Sequence, residues 1–276
     1  MKIGVAATAS VFPPDLAEAA NAVVAERWPD GKVQLVFHAD AHQVSGHFAG
    51  DDEMRANAFV DLANDPSIDA IWFGRGGYGS NRIAEAAIGR LTAAAREKQY
   101  LGFSDAGFLL AGLYRAGFTG LAHGPMVGCI RREGGRAAVD RALDWLVDRN
   151  PATLEPHLDG RPTVAFNLVV LDQLMGTPLE PDLTDHVLML EDVDEELYRV
   201  DRMLFHLTRH AAIRRVAGIR MGRVAFRANP TADFGMTAVE IARHWCGRAG
   251  IPYLGEADIG HDAANRIVPF GPRRVT

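Results

Sequence analysis

A serine between a short apolar strand and a helix is the residue best placed to do chemistry. Ser104 follows the apolar run at residues 100–103 and precedes a helical pattern at residues 106–115. A strand-to-helix turn that presents a serine is how α/β hydrolases carry their nucleophile. The backbone N–H of Asp105 lies at the start of that helix, where it could stabilise an oxyanion. Helix capping by Ser104 and Asp105 is the alternative interpretation.

A second turn, at residues 74–79, reads Gly-Arg-Gly-Gly-Tyr-Gly and follows the apolar run at residues 70–73. Its glycines let backbone N–H groups approach a ligand closely. The spacing matches neither Gly-x-Gly-x-x-Gly nor the Lys-Ser/Thr ending of a phosphate loop, so an oxyanion nest fits better. Arg75 could pair with a substrate carboxylate. We therefore hypothesise that the two turns form one site, with a serine nucleophile facing an oxyanion hole.

A serine nucleophile needs a base, and the base needs a partner that holds its tautomer. His261 follows a predicted strand, and Glu191 follows the apolar run at residues 187–190, where a partly desolvated carboxylate would orient a histidine. The alternative is that each of these two residues is a loop residue without a catalytic role. Other histidines remain alternatives for the base: His123 in a glycine turn, and His38, His42 and His47 in a polar loop. Three more lie in helical patterns and are expected to be structural or solvated: His206, His210 and His244.

Composition excludes several classes of function. The chain has 276 residues and a net charge of −6, which argues against nucleic acid or an anionic membrane as a partner. Cys129 and Cys246 lack Cys-x-x-Cys spacing, and no His-Glu-x-x-His pattern occurs, so neither a disulfide framework nor a metal site is expected. The first apolar run is too short for a signal peptide or a membrane span, which predicts a cytoplasmic protein.

Strands and helices are predicted to alternate in the first half, which indicates an α/β fold with a parallel sheet covered on both faces. Ligands of such sheets bind beyond the carboxyl ends of the strands, where both turns lie. Prolines and glycines punctuate residues 150–160, which predicts two domains, 1–155 and 156–276. In the second half, residues 163–170, 186–190, 216–221 and 224–226 are predicted strands, and residues 191–196 an acidic loop.

Six groups of residues, spread over nearly the whole chain, together resemble the serine LD-carboxypeptidases. This family includes muramoyltetrapeptide carboxypeptidase and the microcin C self-immunity peptidases. The matching groups are the glycine turn at 74–79, Gly-Phe-Ser-Asp at 102–105, His-Gly-Pro-Met at 123–126, Asn-Leu at 167–168 with Gly-Thr-Pro at 176–178, Leu-Glu-Asp-Val at 190–193 leading to Tyr-Arg-Val-Asp-Arg at 198–202, and Asp-Ile-Gly-His at 258–261 with Pro-Phe-Gly at 269–271.

The resemblance implies a flavodoxin-like N-terminal domain that carries the serine and a smaller, swivelling C-terminal β/α domain that carries a glutamate and a histidine. The site would form between these two domains. The protein would be a homodimer. The implied triad is Ser104, Glu191 and His261. The implied oxyanion hole consists of the backbone N–H groups of Gly77 and Asp105. Within the glycine turn, the expected substrate-binding residues are Arg75 and Tyr78.

The resemblance further implies a hydrolase without metal or organic cofactor, a serine peptidase of peptidoglycan recycling. It would cleave the amide between an L-centre and a terminal D-amino acid, the D-alanine of a murein tetrapeptide, through an acyl-enzyme. One alternative is the cleavage of peptidyl-nucleotides, as in the immunity branch. Another is a non-catalytic binding protein, for which the only sign is Ala165-Phe166 where the family usually has Gly-Gly.

Overall fold

Strands and helices alternate through the first half of the chain, as the apolar runs predict. The computed structural model describes residues 1–226 and 233–272. The elements of the first half are β1 Lys2–Ala6, α1 Pro14–Arg27, β2 Gln34–Phe37, α2 Asp52–Asn64, β3 Ala70–Phe73, α3 Ser80–Ile88, α4 Ala93–Arg96, β4 Gln99–Gly102, α5 Gly107–Arg115, β5 Leu121–His123 and α6 Gly135–Asp148.

The second half repeats this alternation with longer strands. Its elements are β6 Thr163–Asn167, α7 Leu168–Leu174, β7 Val187–Glu195, α8 Leu197–Leu207, β8 Gly218–Phe226, α9 Ala238–Ala249, β9 Tyr253–Glu256 and β10 Val268–Pro269. Within the described residues, no helix is both long enough and apolar enough to cross a membrane.

Two sheets organise these elements. The first has the strand order β10-β5-β4-β3-β1-β2, and the second has the order β6-β7-β8-β9. The neighbouring strands run parallel, except that β10 is antiparallel to β5. The α/β class with a parallel sheet in each half is therefore confirmed. The boundary between domains near residue 155 stays a prediction.

The carboxyl ends of three neighbouring strands in the first sheet place the turns of interest side by side. Phe73 ends β3, Gly102 ends β4 and His123 ends β5, and Gly102 is the register partner of His123. Helices α2, α3 and α5 contribute buried apolar residues to one cluster, and α1 and α6 contribute them to another. The first of these clusters continues into β6, β7 and α7, so the two halves share a core.

The second half departs from the sequence prediction in three places. Strand β7 runs through the acidic residues 191–195, which were expected to form a loop, because it pairs with β8 with register shifts after Leu190 and Val193. The strand predicted at residues 163–170 ends at Asn167, whose side chain accepts a hydrogen bond from the Val170 N–H and caps α7. The two short strands predicted between residues 216 and 226 are the single strand β8.

Candidate active site

Ser104 occupies a strained turn between β4 and α5. It begins one turn of 3-10 helix, Ser104–Ala106. Its φ of +56° lies in the left-handed region, which residues other than glycine rarely adopt. Such strain is common at functional sites, where the surrounding structure maintains it. Ser104 lines a cavity of about 400 Å³. The strand-to-helix turn expected from the sequence is therefore present and presents its serine to a cavity.

The glycine turn packs directly against Ser104. A Cβ added at Gly76 would lie 3.0 Å from the Ser104 Oγ. Gly77 has a φ of +110°, and a Cβ there would lie 1.9 Å from the Ser10 Oγ. Glycine is thus required at residue 77 both by conformation and by space. Gly76 and Gly77 line the same cavity as Ser104, so the structure brings the two turns together.

The Asp105 carboxylate fastens one turn to the other. It accepts hydrogen bonds from the N–H groups of Gly79 (3.3 Å) and Ser80 (2.8 Å), at the start of α3. The sequence suggested that Asp105 caps the helix that follows it. In the structure Asp105 instead caps α3. Burial raises the pKa of Asp105, and the bonds from Ser80 and Gly79 oppose that rise. The fully buried Arg55 donates to the Gly79 carbonyl at 2.9 Å, which fixes the end of the glycine turn.

His261 and Glu191 form a buried pair beside this cavity. The His261 Nδ1 is hydrogen bonded to the Glu191 Oε2, and Glu191 is completely buried. Among the described residues, the His261 Nε2 has no hydrogen-bond partner. The His261 ring lies 4.7 Å from the ring of Phe103, the residue before Ser104, and His261 and Ser104 line the same cavity. The pair therefore leaves one histidine nitrogen without a partner at the cavity that Ser104 also lines.

A second buried carboxylate, Asp192, was not singled out from the sequence. It accepts hydrogen bonds from the Asn167 side-chain amide at 2.8 Å and from the N–H groups of Val169 (3.1 Å) and Val193 (2.8 Å). Burial, reinforced by the charge of Glu191, raises the pKa of Asp192 to about 7. Asp192 thus fixes the backbone of Val193, which lines the cavity. The sequence did not indicate this role because Asp192 follows Glu191 in a run of acidic residues.

Arginines dominate the charged lining of the cavity. Arg75 is half-buried and donates to the Val11 carbonyl at 3.0 Å. Arg131 is paired with Asp15, and Arg132 donates to the His261 carbonyl. The lining residues are Leu16, Arg75, Gly76, Gly77, Ser104, Met126, Gly128, Cys129, Arg131, Arg132, Val193 and His261. A cavity with this lining suits an anionic group beside Ser104.

Tyr78, expected to bind substrate, is not among the residues that line the cavity. Its ring lies 6.4 Å from the His47 ring and 6.1 Å from the Phe48 ring, and its side chain is half exposed. Within the described chain, the alternative histidines do not line the cavity either. His47 bonds to the Ser10 Oγ at 2.8 Å, and His123 is buried beneath the site. The described residues also contain no cluster of metal-ligating side chains.

Comparison with protein-family models assigns both halves of the chain. Residues 3–124 match the LD-carboxypeptidase N-terminal domain, and residues 162–274 match the LD-carboxypeptidase C-terminal domain. The chain belongs to the LD-carboxypeptidase family. Membership in a carboxypeptidase family supports a peptidase. The family named from the sequence motifs is therefore confirmed.

Curated relatives and solved structures agree with this assignment. A relative from Synechocystis sp., named as a carboxypeptidase, is 30% identical over 263 residues, or 89% of this chain and 82% of that protein. The murein tetrapeptide carboxypeptidase of Pseudomonas aeruginosa is 27% identical and covers 88% of this chain and 85% of its own length.

Among solved structures, muramoyltetrapeptide carboxypeptidase from Oxalobacter formigenes superposes with a TM-score of 0.81 at 22% identity, covering 98% of this chain and 93% of its own. The microcin C7 self-immunity protein MccF, solved with aspartyl sulfamoyl adenosine, has a TM-score of 0.78 at 20% identity, covering 98% and 91%. At these identities the likeness concerns the fold.

Burial of His123 makes the stability of the protein depend on pH. Burial lowers the pKa of His123 from 6.5 to about 4. Between these values the unfolded chain binds a proton that the folded chain does not, so stability falls as the pH decreases. We expect the wild type to lose about 2 kcal/mol more unfolding free energy than His123→Gln between pH 7.5 and 4.5.

Urea unfolding of both proteins at the two pH values measures this difference, with His244→Gln as the control because His244 is exposed. An equal loss in the wild type and in His123→Gln would contradict the prediction. A control variant that behaves like the wild type shows that the effect belongs to His123.

Proposed function

We propose that this protein is a serine LD-carboxypeptidase that removes a terminal D-amino acid from a murein tetrapeptide. The observation that carries the proposal is the buried Glu191–His261 hydrogen bond, which leaves the His261 Nε2 unpartnered at a cavity that Ser104 also lines. A histidine whose Nδ1 bonds to a carboxylate has its Nε2 available to accept a proton, as in a serine hydrolase triad.

In the proposed reaction the Ser104 Oγ attacks the carbonyl carbon between the L-centre and the terminal D-residue. The His261 Nε2 takes the serine proton and then gives it to the leaving amine, which departs as the free D-amino acid. Glu191 stabilises the imidazolium that forms between these steps. Water, activated by the same nitrogen, hydrolyses the acyl-enzyme. Ser104 is regenerated, and the proposed reaction uses water but no metal or organic cofactor.

The proposed oxyanion hole consists of the backbone N–H groups of Gly77 and Asp105. Gly77 lines the cavity, and its N–H makes no hydrogen bond to another described residue. The Asp105 carboxylate is bound to the Gly79 and Ser80 N–H groups, which holds the two candidate donors in one rigid unit. Donors that are fixed before the reaction need no reorganisation when charge develops on the carbonyl oxygen.

Arg75 is the proposed partner of the substrate's terminal carboxylate. One of its guanidinium nitrogens binds the Val11 carbonyl, and no described acidic side chain forms an ion pair with it. The neighbouring Arg131 is already neutralised by Asp15. A carboxylate next to the scissile amide would therefore find an uncompensated charge at Arg75. The homodimer and the cytoplasmic location stay predictions from the sequence.

Ser104→Ala tests the nucleophile. Incubation of the purified protein with murein tetrapeptide should release free D-alanine, and the variant should lose this activity by about 10⁴-fold or more because the acyl-enzyme cannot form. Mass spectrometry after treatment with a fluorophosphonate should locate the label on Ser104. The control is Ser45→Ala, which removes an exposed loop hydroxyl.

Retained activity in Ser104→Ala would refute the nucleophile assignment. A wild type that is never labelled at Ser104 would favour a non-catalytic binding protein. A peptidyl-nucleotide offered to the same preparation separates the two substrate classes, since its preferential cleavage would replace the murein assignment.

Gly77→Ala tests the oxyanion hole. The new Cβ would collide with the Ser10 Oγ and would strain a φ of +110°, so the turn must shift. Loss of one oxyanion donor costs about 10²–10³ in rate, and we expect a fall of that size in kcat. Gly46→Ala is the matched control, because Gly46 also has a positive φ but open space around it. Equal rates for Gly77→Ala and the control would exclude Gly77 from the oxyanion hole.

Arg75→Gln tests the recognition of the terminal carboxylate. Because a charge-assisted hydrogen bond contributes about 1.5–3 kcal/mol, we expect KM for the tetrapeptide to rise about 10- to 100-fold. KM for the C-terminal amide of the same peptide should change little. Arg90→Gln, at an exposed arginine outside the cavity, is the control. An equal rise in KM for acid and amide would rule out a carboxylate contact.

A further inference from the structure

His123, the first residue of the His-Gly-Pro-Met turn, has no role in the site described so far. His123 ends β5 and is buried, with 1% of its surface exposed. It does not line the cavity, yet the Phe103 ring packs against both the His123 ring and the His261 ring. The hydrogen bonds of this buried imidazole therefore indicate what His123 does in the structure.

One hydrogen-bond partner of His123 is Asn265, which lies in the loop that carries His261. The His123 Nε2 lies 3.2 Å from the Asn265 Oδ1. The same oxygen accepts a hydrogen bond from the Gly260 N–H at 3.1 Å. Because an amide oxygen only accepts, the His123 Nε2 carries the proton and donates it. Asn265 therefore connects His123 to the residue that precedes His261.

Other side chains of the first half hold the same loop. Arg132 donates to the His261 carbonyl, and Arg141 donates to the carbonyls of Ala263 (2.7 Å) and Asn265 (3.1 Å). The ring of Phe103 packs 5.5 Å from the His123 ring and 4.7 Å from the His261 ring. The loop of the second half is thus bound along its length by the half that carries Ser104.

The register of the first sheet links His123 to the serine turn. Strands β4 and β5 are neighbours, and Gly102, two residues before Ser104, is paired with His123. A displacement of β5 relative to β4 is opposed by this ladder. His123 and Ser104 are therefore held relative to each other, and the Asn265 amide connects the loop to His123.

We propose that His123 and Asn265 are positioning residues that set the place of His261 relative to Ser104. His123 takes no part in proton transfer. It donates one hydrogen bond to Asn265, and Asn265 transmits that constraint to the Gly260 N–H. This proposal rests on the proposed function for its catalytic consequence, because a misplacement of about 1 Å in a catalytic group can cost about 10²-fold in rate.

Substitutions at His123 separate a hydrogen-bond role from a packing role. His123→Leu keeps an apolar side chain but removes the donor, whereas His123→Gln keeps an N–H donor near the place of the Nε2. Asn265→Ala removes the acceptor from the other side and carries the test if His123→Leu fails to fold. His244→Leu, at an exposed histidine, is the control.

Two measurements are made on each full-length variant. Hydrogen–deuterium exchange of the peptide covering residues 258–267 reports the Gly260 N–H without reference to activity. Steady-state release of D-alanine from murein tetrapeptide reports kcat and KM separately. We expect His123→Leu and Asn265→Ala to exchange at least 10-fold faster in this peptide and to lose about 10- to 100-fold in kcat with KM within 3-fold. His123→Gln should restore most of both.

Unchanged exchange in folded His123→Leu and Asn265→Ala would overturn the positioning role. Faster exchange with an unchanged kcat would overturn its catalytic consequence. An equal loss in His123→Gln and His123→Leu would show that shape and not the hydrogen bond matters, which also contradicts the proposal. If the wild type releases no D-alanine while exchange changes as expected, the proposed function fails and the structural role of His123 stands.

Discussion

The hydrogen bond between His261 and Glu191 is the interaction on which the site depends. Glu191 is completely buried in β7, inside the second sheet, where an unpaired carboxylate would cost several kcal/mol. His261 supplies a hydrogen bond to one of its two oxygens, Oε2, whereas Oε1 has no partner among the described residues. The hydrogen bond between His261 and Glu191 therefore holds the loop after β9 against β7. The orientation of the imidazole follows from the same requirement, since its Nδ1 is the bonded atom.

In the first half of the chain, the buried carboxylate of Asp105 has a similar effect. Asp105 binds the N–H groups at the start of α3 and so draws the glycine turn towards the serine turn. The left-handed conformation of Ser104 persists because the residues around it are closely packed, with Gly76 in contact with its side chain. Buried acids in both halves, Asp105 in the first and Glu191 in the second, thus position residues that line the cavity.

The features predictable from the sequence are those encoded locally. The apolar runs before Gly74 and before Ser104 predicted two parallel strands, and the rule that such strands end at one edge predicted that their turns meet. Glu191 was singled out by its place after an apolar run. The continuation of β7 through the acidic residues was missed, because Glu191 and Asp192 are tolerated in a strand only through partners elsewhere in the chain.

The remaining features depend on contacts between residues distant in sequence. His123 could not be told apart from the other histidines, since its partner Asn265 is 142 residues away. Tyr78 lies in the expected turn, but its ring packs towards His47 and Phe48, and no local pattern encodes that direction. The proposed catalytic residues were therefore singled out from local pattern, whereas the residues that contact them from distant parts of the chain were not.

The path of the chain around His261 explains why both halves are needed at one site. The loop that carries His261 leaves β9 in the second sheet and enters β10 in the first. At its far end, the Ile267 N–H binds the Thr153 carbonyl and the Phe270 N–H binds the Leu121 carbonyl. A loop with one end in each sheet takes its position from both. The distance between the proposed base and the serine is thereby set by how the two halves dock, because no single element carries both groups.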